Sequence, residues 1–340
     1  MSAIYYKFIP QNCAPPNSKR IGIYDKNNMR RGFIKVPSNM LASSGNKLYS
    51  FGALSDVHIQ YQTAKDDLIK ALNFFETYKA DFVCICGDLT SNGSNDQLSE
   101  YKSCINENAD IPVYAISGNH ESWSNTSDGA IQNRIESYTE HPLYYTFNCG
   151  DDVFIMLGII NDGEGLLFAD GELQWLYETL EVNRNKRCFV FEHVRPQDAC
   201  GNAYGIYSND IWGGTEATVF ENLLRHYKNI VLFHGHSHLK FDLQTKTNLA
   251  NYDKVFGCHS VHISSIAVPR TGDATGAPSR IELYAQSEGY VVDVYENEIM
   301  LKGRDFIKGK YLPIATYKLD TTLQTIEPNT FTDSTGTITT

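Results

Sequence analysis

The stretch Ser117-Gly118-Asn119-His120-Glu121 decides the fold and the chemistry of this chain. It follows a short apolar run, residues 111–116, that predicts a buried parallel strand. An amide, an imidazole and a carboxylate in consecutive positions at a strand end are costly to bury without partners. Their partners should therefore come from the ends of other strands.

Four further polar clusters follow other apolar runs: Asp56-Val57-His58, Gly87-Asp88, His193 and Gly235-His236-Ser237-His238. In open α/β sheets, binding sites gather at the carboxyl ends of strands, where these clusters fall. Taken alone, an Asp-x-His or a Gly-Asp is usually a capping or turn element. All five clusters together, in order over residues 56–238, predict a metal site.

The series D-x-H, G-D, G-N-H-E, H and G-H-x-H resembles the calcineurin-like metallophosphoesterase superfamily. The resemblance implies hydrolysis of a phosphate mono- or diester by in-line attack of a hydroxide that bridges two divalent metal ions. It implies ligand roles for Asp56, His58 and His238 at one metal, for Asn119, His193 and His236 at the other, and for Asp88 as the bridging carboxylate. Such ligands suit manganese, iron and zinc alike, so the identity of the metal stays open.

The resemblance also implies roles for the residues around Asn119. His120 would contact the leaving-group side of the phosphate, as electrostatic stabiliser or general acid, and Asn119 would also touch the substrate. Glu121 would orient the imidazole of His120. The run Leu89-Thr90-Ser91 departs from the family, because some members carry a further acid there. Two aspartates and a hydroxide do not cancel two divalent cations, so the site stays cationic and attracts phosphate.

Two loops should flank the metals. The loop after His120 carries Trp123, and the loop after His193 begins with Arg195. The second loop also holds three aromatic residues among glycines: Tyr204, Tyr207 and Trp212. Such rings stack on a base or sugar, or alternatively pin a long loop to the surface. Arg195 contacts a phosphate oxygen, or alternatively makes a surface salt bridge.

Apolar periodicity predicts repeated βα units from residue 48, including a helix over 64–78, and antiparallel strands after residue 255. The fold class is α/β (α+β), a four-layer αββα sandwich of two mixed sheets flanked by helices. We expect a hairpin arm over residues 1–45, a metallophosphoesterase domain over 46–314 and a Thr-rich extension over 315–340.

The composition excludes some classes of protein. The 340 residues are 42% hydrophobic and 20% charged, which is typical of a globular protein. A net charge of -11 disfavours electrostatic binding of nucleic acid over a large surface, so nucleic acid remains only a candidate substrate. The eight cysteines form no zinc-spaced pairs and favour a reducing compartment. Without a recognisable signal peptide or membrane span, we expect a cytoplasmic protein, with particle association as the alternative.

A second class of function fits the same fold. A structural or assembly protein could keep the phosphoesterase fold with secondary or no catalysis. The arm and the tail favour such a role, through oligomers or attachment to a larger particle. Every ligand position is filled, however, and this favours an enzyme acting on a phosphate ester.

Overall fold

The computed structural model describes residues 5–8, 19–24, 30–36, 45–61, 63–123, 128–161, 166–196, 199–201, 214–243, 251–271 and 281–332. Two six-stranded sheets form the centre of this described part. The first sheet contains β4 (Tyr49–Leu54), β5 (Phe82–Cys86), β6 (Val113–Ile116), β17 (Glu288–Val294), β18 (Glu298–Asp305) and β19 (Lys310–Asp320). The second sheet contains β7 (Tyr145–Cys149), β8 (Asp152–Met156), β11 (Cys188–Phe191), β12 (Ile230–His234), β13 (Tyr252–Val255) and β14 (Cys258–His262).

Both sheets are mixed. In the first, the order is β19-β18-β17-β4-β5-β6, and β4, β5 and β6 run parallel. In the second, the order is β13-β14-β12-β11-β8-β7, with β8, β11, β12 and β14 parallel. The predicted antiparallel pairing of residues 255–268 is therefore wrong for β14 and β12. β14 pairs antiparallel only with β13, because the tight turn between these two strands reverses the chain.

Six helices occur in the described residues: α1 (Ala64–Tyr78), α2 (Asn95–Asn108), α3 (Asn119–Ser122), α4 (Asp128–Thr139), α5 (Glu172–Val182) and α6 (Gly214–His226). The helix predicted over 64–78 coincides with α1, whose Leu68, Leu72 and Phe75 are buried at helical spacing. The side-chain oxygen of Ser94 accepts from the backbone N–H of Gln97 and so caps α2. Among the described helices, none combines the length and apolar character needed to cross a bilayer.

Three apolar layers hold the sandwich together. Aromatic side chains from both sheets fill the central layer, where the ring of Phe51 meets those of Phe154 and Phe189 edge-on at 5.2 and 5.4 Å. A second layer packs α1 and α2 on the first sheet, and a third packs α5 and α6 on the second. The predicted four-layer αββα sandwich is confirmed.

Short strands complete the structure. β9 (Ile160–Asn161) pairs with β10 (Leu166–Leu167), and β15 (Arg270–Thr271) pairs with β16 (Ile281–Glu282). Near the N-terminus, β1 (Tyr5–Phe8), β2 (Lys19–Tyr24) and β3 (Arg30–Val36) form an antiparallel sheet, and the β2–β3 pairing agrees with the predicted hairpin.

The division of the chain into arm, domain and extension stays a prediction. The boundary predicted at residue 315 falls inside β19, the edge strand of the first sheet. Further along, Phe331 is buried and its ring lies 5.5 Å from that of Tyr177 on α5. The described part of the tail thus contributes a strand to the first sheet and packs against α5, which covers the second sheet.

Candidate metal centre

The polar clusters predicted at five strand ends meet at one edge of the sandwich. β4 leads to Asp56 and His58, β5 to Asp88, β6 to Asn119, β11 to His193, and β12 to the pair His236 and His238. One ligand atom from each of Asp56, His58, Asp88 and His238 lies within 4.8 Å of the others, and the same holds for Asp88, His193 and His236. Asp88 belongs to both groups.

Backbone strain is concentrated at these residues. Among the described residues, nine non-glycine residues have a positive φ, and five of them belong to the two groups: Asp56 (53°), His58 (41°), Asp88 (51°), His236 (68°) and His238 (55°). Each such conformation costs on the order of 1–3 kcal/mol and persists only where the surrounding structure enforces it. The strand ends are therefore held in a conformation that serves the site rather than local backbone preference.

Two motif glycines make room for the ligand of a neighbouring strand. A Cβ added at Gly118 would collide with Oδ1 and the backbone nitrogen of Asp88. A Cβ at Gly235 would collide with Ser55 and lie 2.7 Å from Oδ2 of Asp56. Each glycine thus lets one chain segment approach another closely, which a larger residue would prevent.

Backbone carbonyl groups fix the orientation of three imidazoles. Nδ1 of His58 lies 3.2 Å from the carbonyl oxygen of Thr90, Nδ1 of His193 lies 2.7 Å from that of Cys86, and Nδ1 of His238 lies 3.2 Å from that of Val268. A carbonyl oxygen only accepts, so Nδ1 carries the proton and Nε2 faces the centre of the site. This second contact is how proteins orient histidine ligands of metals.

The inward-facing atoms lie close together. Oδ1 of Asp56 is 2.9 Å from Nε2 of His238, and Oδ2 of Asp88 is 3.2 Å from Nε2 of His193. Nε2 of His58 and Nε2 of His238 are 3.1 Å apart. Two neutral imidazoles with protonated Nδ1 atoms present lone pairs to each other at that distance. A cation between them would relieve this repulsion.

The buried polar atoms of the site fit divalent metal ions. Asp56 Oδ1, Asp88 Oδ2, Asn119 Oδ1 and His193 Nε2 are buried and make no hydrogen bond of acceptable geometry. Such atoms are costly to bury unless something compensates them. Carboxylate oxygen and neutral imidazole nitrogen are the ligands of zinc, manganese and iron sites. The chemistry of the donor set therefore matches the metals predicted from the sequence.

The pKa values show how strongly these groups interact. Burial lowers the pKa of His58, and the neighbouring imidazoles of His238 and His120 add to this effect, bringing it to about 3. Burial also lowers the pKa of His236 to about 3. Burial opposes the charged forms of Asp88 and His193, yet their attraction prevails: the pKa of Asp88 lies well below its usual range and that of His193 rises to about 10. The Asp88 carboxylate requires a positive charge beside it.

His120 lies at the open side of the site. Its Nε2 is 3.7 Å from Oδ2 of Asp88, and its side chain is 20% exposed, whereas the side chains of the ligands other than the half-buried His236 are buried. Nδ1 donates to the carbonyl oxygen of Ser91 at 2.7 Å. The predicted contact between Glu121 and this imidazole is therefore wrong.

Glu121 instead holds the loop around the site. Its carboxylate accepts from the backbone N–H and the hydroxyl of Thr90, at 2.8 and 2.7 Å, and from the N–H of Gly118 at 2.7 Å. The carboxylate is fully buried, and burial together with the charge of Asp88 raises its pKa. Sequence reasoning missed the part played by Thr90 and Ser91, because backbone carbonyls leave no signature in side-chain identity. The position of these residues directly after Asp88 was the only available signal.

Arg195 is buried, which contradicts one of the two alternatives considered for it. The residue is 3% exposed, so a surface salt bridge is excluded. Its guanidinium donates to the carbonyl oxygen of Pro196 at 3.1 Å and lowers the pKa of His234 and His262 behind the site. A contact with the substrate phosphate stays a prediction. Tyr204, Tyr207 and Trp212 lie outside the described residues.

A second group of buried side chains, the rear histidine pair, lies behind the site and consists of His234 and His262. Nε2 of His234 is 3.1 Å from the hydroxyl of Ser260 and 3.6 Å from the thiol of Cys200. Nε2 of His262 is 2.7 Å from the hydroxyl of Ser237. These contacts are those of packed rather than metal-binding histidines.

Comparisons with known proteins place this arrangement among phosphoesterases. A segment of the chain is 26% identical over 123 residues to a probable glycerophosphodiester phosphodiesterase, GpdQ, from Arcobacter nitrofigilis; the match spans 35% of this chain and 43% of that relative. Among solved structures, a dimetal phosphatase from Danio rerio has a TM-score of 0.56 at 13% identity, covering 82% of this chain and 100% of the other.

Two further structures share the fold. A purple acid phosphatase, PPD1, from yellow lupin has a TM-score of 0.53 at 12% identity, covering 94% of this chain and 66% of the lupin chain. GAP50, described as the anchor in the inner membrane complex of Plasmodium, has a TM-score of 0.55 at 12% identity, covering 82% of this chain and 90% of GAP50. The family model for calcineurin-like phosphoesterases matches residues 49–240, more than half of the sequence. The chain belongs to the calcineurin-like phosphoesterase family.

Proposed function

We propose that this protein is a hydrolase of phosphate mono- or diesters that uses two divalent metal ions. The observation that supports the proposal best is the convergence of buried ligand atoms into two groups that share the Asp88 carboxylate. We assign Asp56, His58 and His238 to one ion, Asn119, His193 and His236 to the other, and Asp88 to both. Manganese, iron and zinc all fit this donor set.

When bound, such a pair of ions supplies an activated water for in-line attack on phosphorus and neutralises charge on the phosphate oxygens. The chain's own residues orient the reactants. The carbonyl of Ser91 fixes the ring of His120, so that Nε2 points into the site. In that position Nε2 can hold a proton and donate it to the leaving oxygen. Glu121 acts through the loop, by tying Thr90 to Gly118 beside Asp88.

A phosphodiester is the first substrate class to test. The relative from Arcobacter carries a diesterase name, although the match spans less than half of that protein. A structural or assembly role is the second candidate, since the fold is shared with a protein described as an anchor. The complete set of ligand positions favours the hydrolase.

The proposal can be tested with chromogenic esters. The purified protein would be loaded with manganese, its metal content measured, and bis(p-nitrophenyl) phosphate compared with p-nitrophenyl phosphate. We expect hydrolysis that is lost in His120→Ala while both ions are retained. If two ions are bound and neither ester is hydrolysed, the assembly role becomes the better explanation.

A further inference from the structure

Trp123 is an unusually exposed tryptophan beside the metal centre. Its side chain follows α3 directly and is 56% exposed, whereas large aromatic side chains are mostly buried. Among the described residues, its one ring contact is with His120, at 3.7 Å between centroids and an angle of 32°. The indole therefore covers one face of the imidazole and leaves much of its own surface to solvent.

The position of Trp123 is fixed rather than accidental. Its backbone N–H donates to the carbonyl oxygen of His120 at 3.3 Å and continues the turn of α3. The guanidinium of Arg134 donates to the carbonyl oxygen of Glu121 at 2.5 Å and holds the same turn from α4. The Ser91 carbonyl orients the imidazole against which the indole lies, so the two rings form a contiguous pair on the open side of the site.

The same pair of rings lies beside the place of the leaving group. An ester oxygen that accepts a hydrogen bond from a protonated Nε2 of His120 lies about 3 Å from that nitrogen. The alcohol part of the ester extends toward the open side of the site, where His120 and Trp123 are both partly exposed. A planar group there contacts the indole when it lies within about 4 Å of the ring.

We propose that Trp123 is a specificity-determining residue that stacks on a planar aromatic group, such as a nucleobase or an aryl ring, carried by the ester oxygen next to His120. This inference rests on the proposed phosphoesterase function. The preferred substrate is then an ester in which the leaving alcohol carries the ring. Aromatic pairs stabilise a complex enough to change affinity by about three- to tenfold.

A matched pair of esters tests the inference. Benzyl phosphate and cyclohexylmethyl phosphate, each also as its methyl diester, have leaving alcohols of similar size and differ mainly in the flatness of the ring. We expect kcat/KM to favour the benzyl esters about three- to tenfold. The preference should disappear in Trp123→Ala and Trp123→Leu and return in Trp123→Phe. Tyr311→Ala removes a 40% exposed aromatic residue that packs against Phe74 and Arg304, and should leave the preference unchanged.

Binding is measured separately by calorimetry with benzylphosphonate and cyclohexylmethylphosphonate, which cannot be hydrolysed as esters. The inference would be overturned, while the phosphoesterase function stands, by equal kcat/KM values for the benzyl and cyclohexylmethyl esters in the wild type. An equal loss of kcat/KM for both kinds of ester in Trp123→Ala would overturn it as well. No hydrolysis of any ester, with benzylphosphonate still bound more tightly in a Trp123-dependent manner, would overturn the function and keep the aromatic subsite. Neither turnover nor preferential binding would overturn both.

Discussion

The chain holds two groups of histidines, and only one of them converges with carboxylates. His58, His193 and His238 face Asp56 and Asp88, with nitrogen–oxygen distances of 2.9 to 3.6 Å. The rear histidine pair faces hydroxyl groups and a thiol, and within the described residues no carboxylate lies at ion-pair distance from it. The segment Gly235-His236-Ser237-His238 contributes to both groups.

The difference is one of charge rather than of residue type. Burial lowers the pKa of His262 to about 4 and that of His234 well below its usual range, and the charge of Arg195 adds to both effects. These rings stay neutral: Nε2 of each ring meets a hydroxyl group, while Nδ1 of each is buried and makes no hydrogen bond. The pKa of His193, equally buried, rises to about 10 because Asp88 stands beside it. In this chain the buried imidazoles converge with carboxylates at the candidate metal centre and not at the rear histidine pair.

The largest effect should follow from removing that charge. Asp88→Asn keeps the shape of the side chain but takes the shared anion from both ligand groups. We expect fewer than two bound ions per chain and kcat/KM reduced at least about a thousandfold. Metal analysis measures the number of bound ions, and ester hydrolysis measures kcat/KM. Ser260→Ala, which removes the hydroxyl beside His234 in the rear histidine pair, is the control. Two retained ions with normal turnover would contradict the role of Asp88.

A smaller effect should follow at the edge of the site. His120→Gln removes the imidazole that faces the substrate side, and we expect kcat to fall about a hundredfold or more. Metal content should stay at the wild-type value, since His120 is not among the proposed ligands. A parallel loss of metal would show that His120 belongs to the ligand set instead.

The rear pair should be visible in the pH dependence of stability. His262 has a folded pKa of about 4 against 6.5 when unfolded, so the unfolded chain binds more protons between these values. Stability is then lost as the pH falls below 6.5, by about 2 kcal/mol from this residue at pH 5. Urea unfolding at pH 7 and pH 5 should show a smaller difference for His262→Gln than for wild type. An unchanged difference would mean that His262 carries its proton in the folded state.

The smallest effect is expected at Cys200. Burial raises the pKa of its thiol to about 12, so the sulfur stays protonated and is a poor ligand. Cys200→Ala should leave metal content and turnover unchanged and cost about 1 kcal/mol of stability for the lost contacts. Loss of an ion in this variant would extend the metal centre into the rear pair.

The strand ends that form the site could be predicted because their signals are local. Each ligand cluster follows an apolar run directly, and parallel strands of one sheet bring their carboxyl ends to one edge. Asp56 therefore had to meet Asp88, and His193 had to meet His236. The helix α1 was predictable for the same reason, since its apolar spacing lies within 15 residues.

Contacts that depend on backbone atoms or on distant segments could not be predicted. The carbonyl of Ser91 orients His120, and any residue at position 91 would present the same group. Glu121 follows His120 in sequence, yet the turn of α3 directs its carboxylate toward Thr90 instead. β12 and β14 pair in parallel although β13 stands between them in the sequence, and apolar alternation does not encode which strand pairs with which.

Gly118 and Gly235 contribute no ligand atom, yet each occupies the one place where the neighbouring aspartate leaves no room for a side chain. In a mutational scan, both positions would therefore score with the ligands, and a variant with alanine there would fail despite a complete set of metal-binding residues. Surveys of this family that judge a member active by counting ligands would miss such silent losses. The glycines belong in the motif as spacers between strands, and their absence is as informative as the absence of an aspartate.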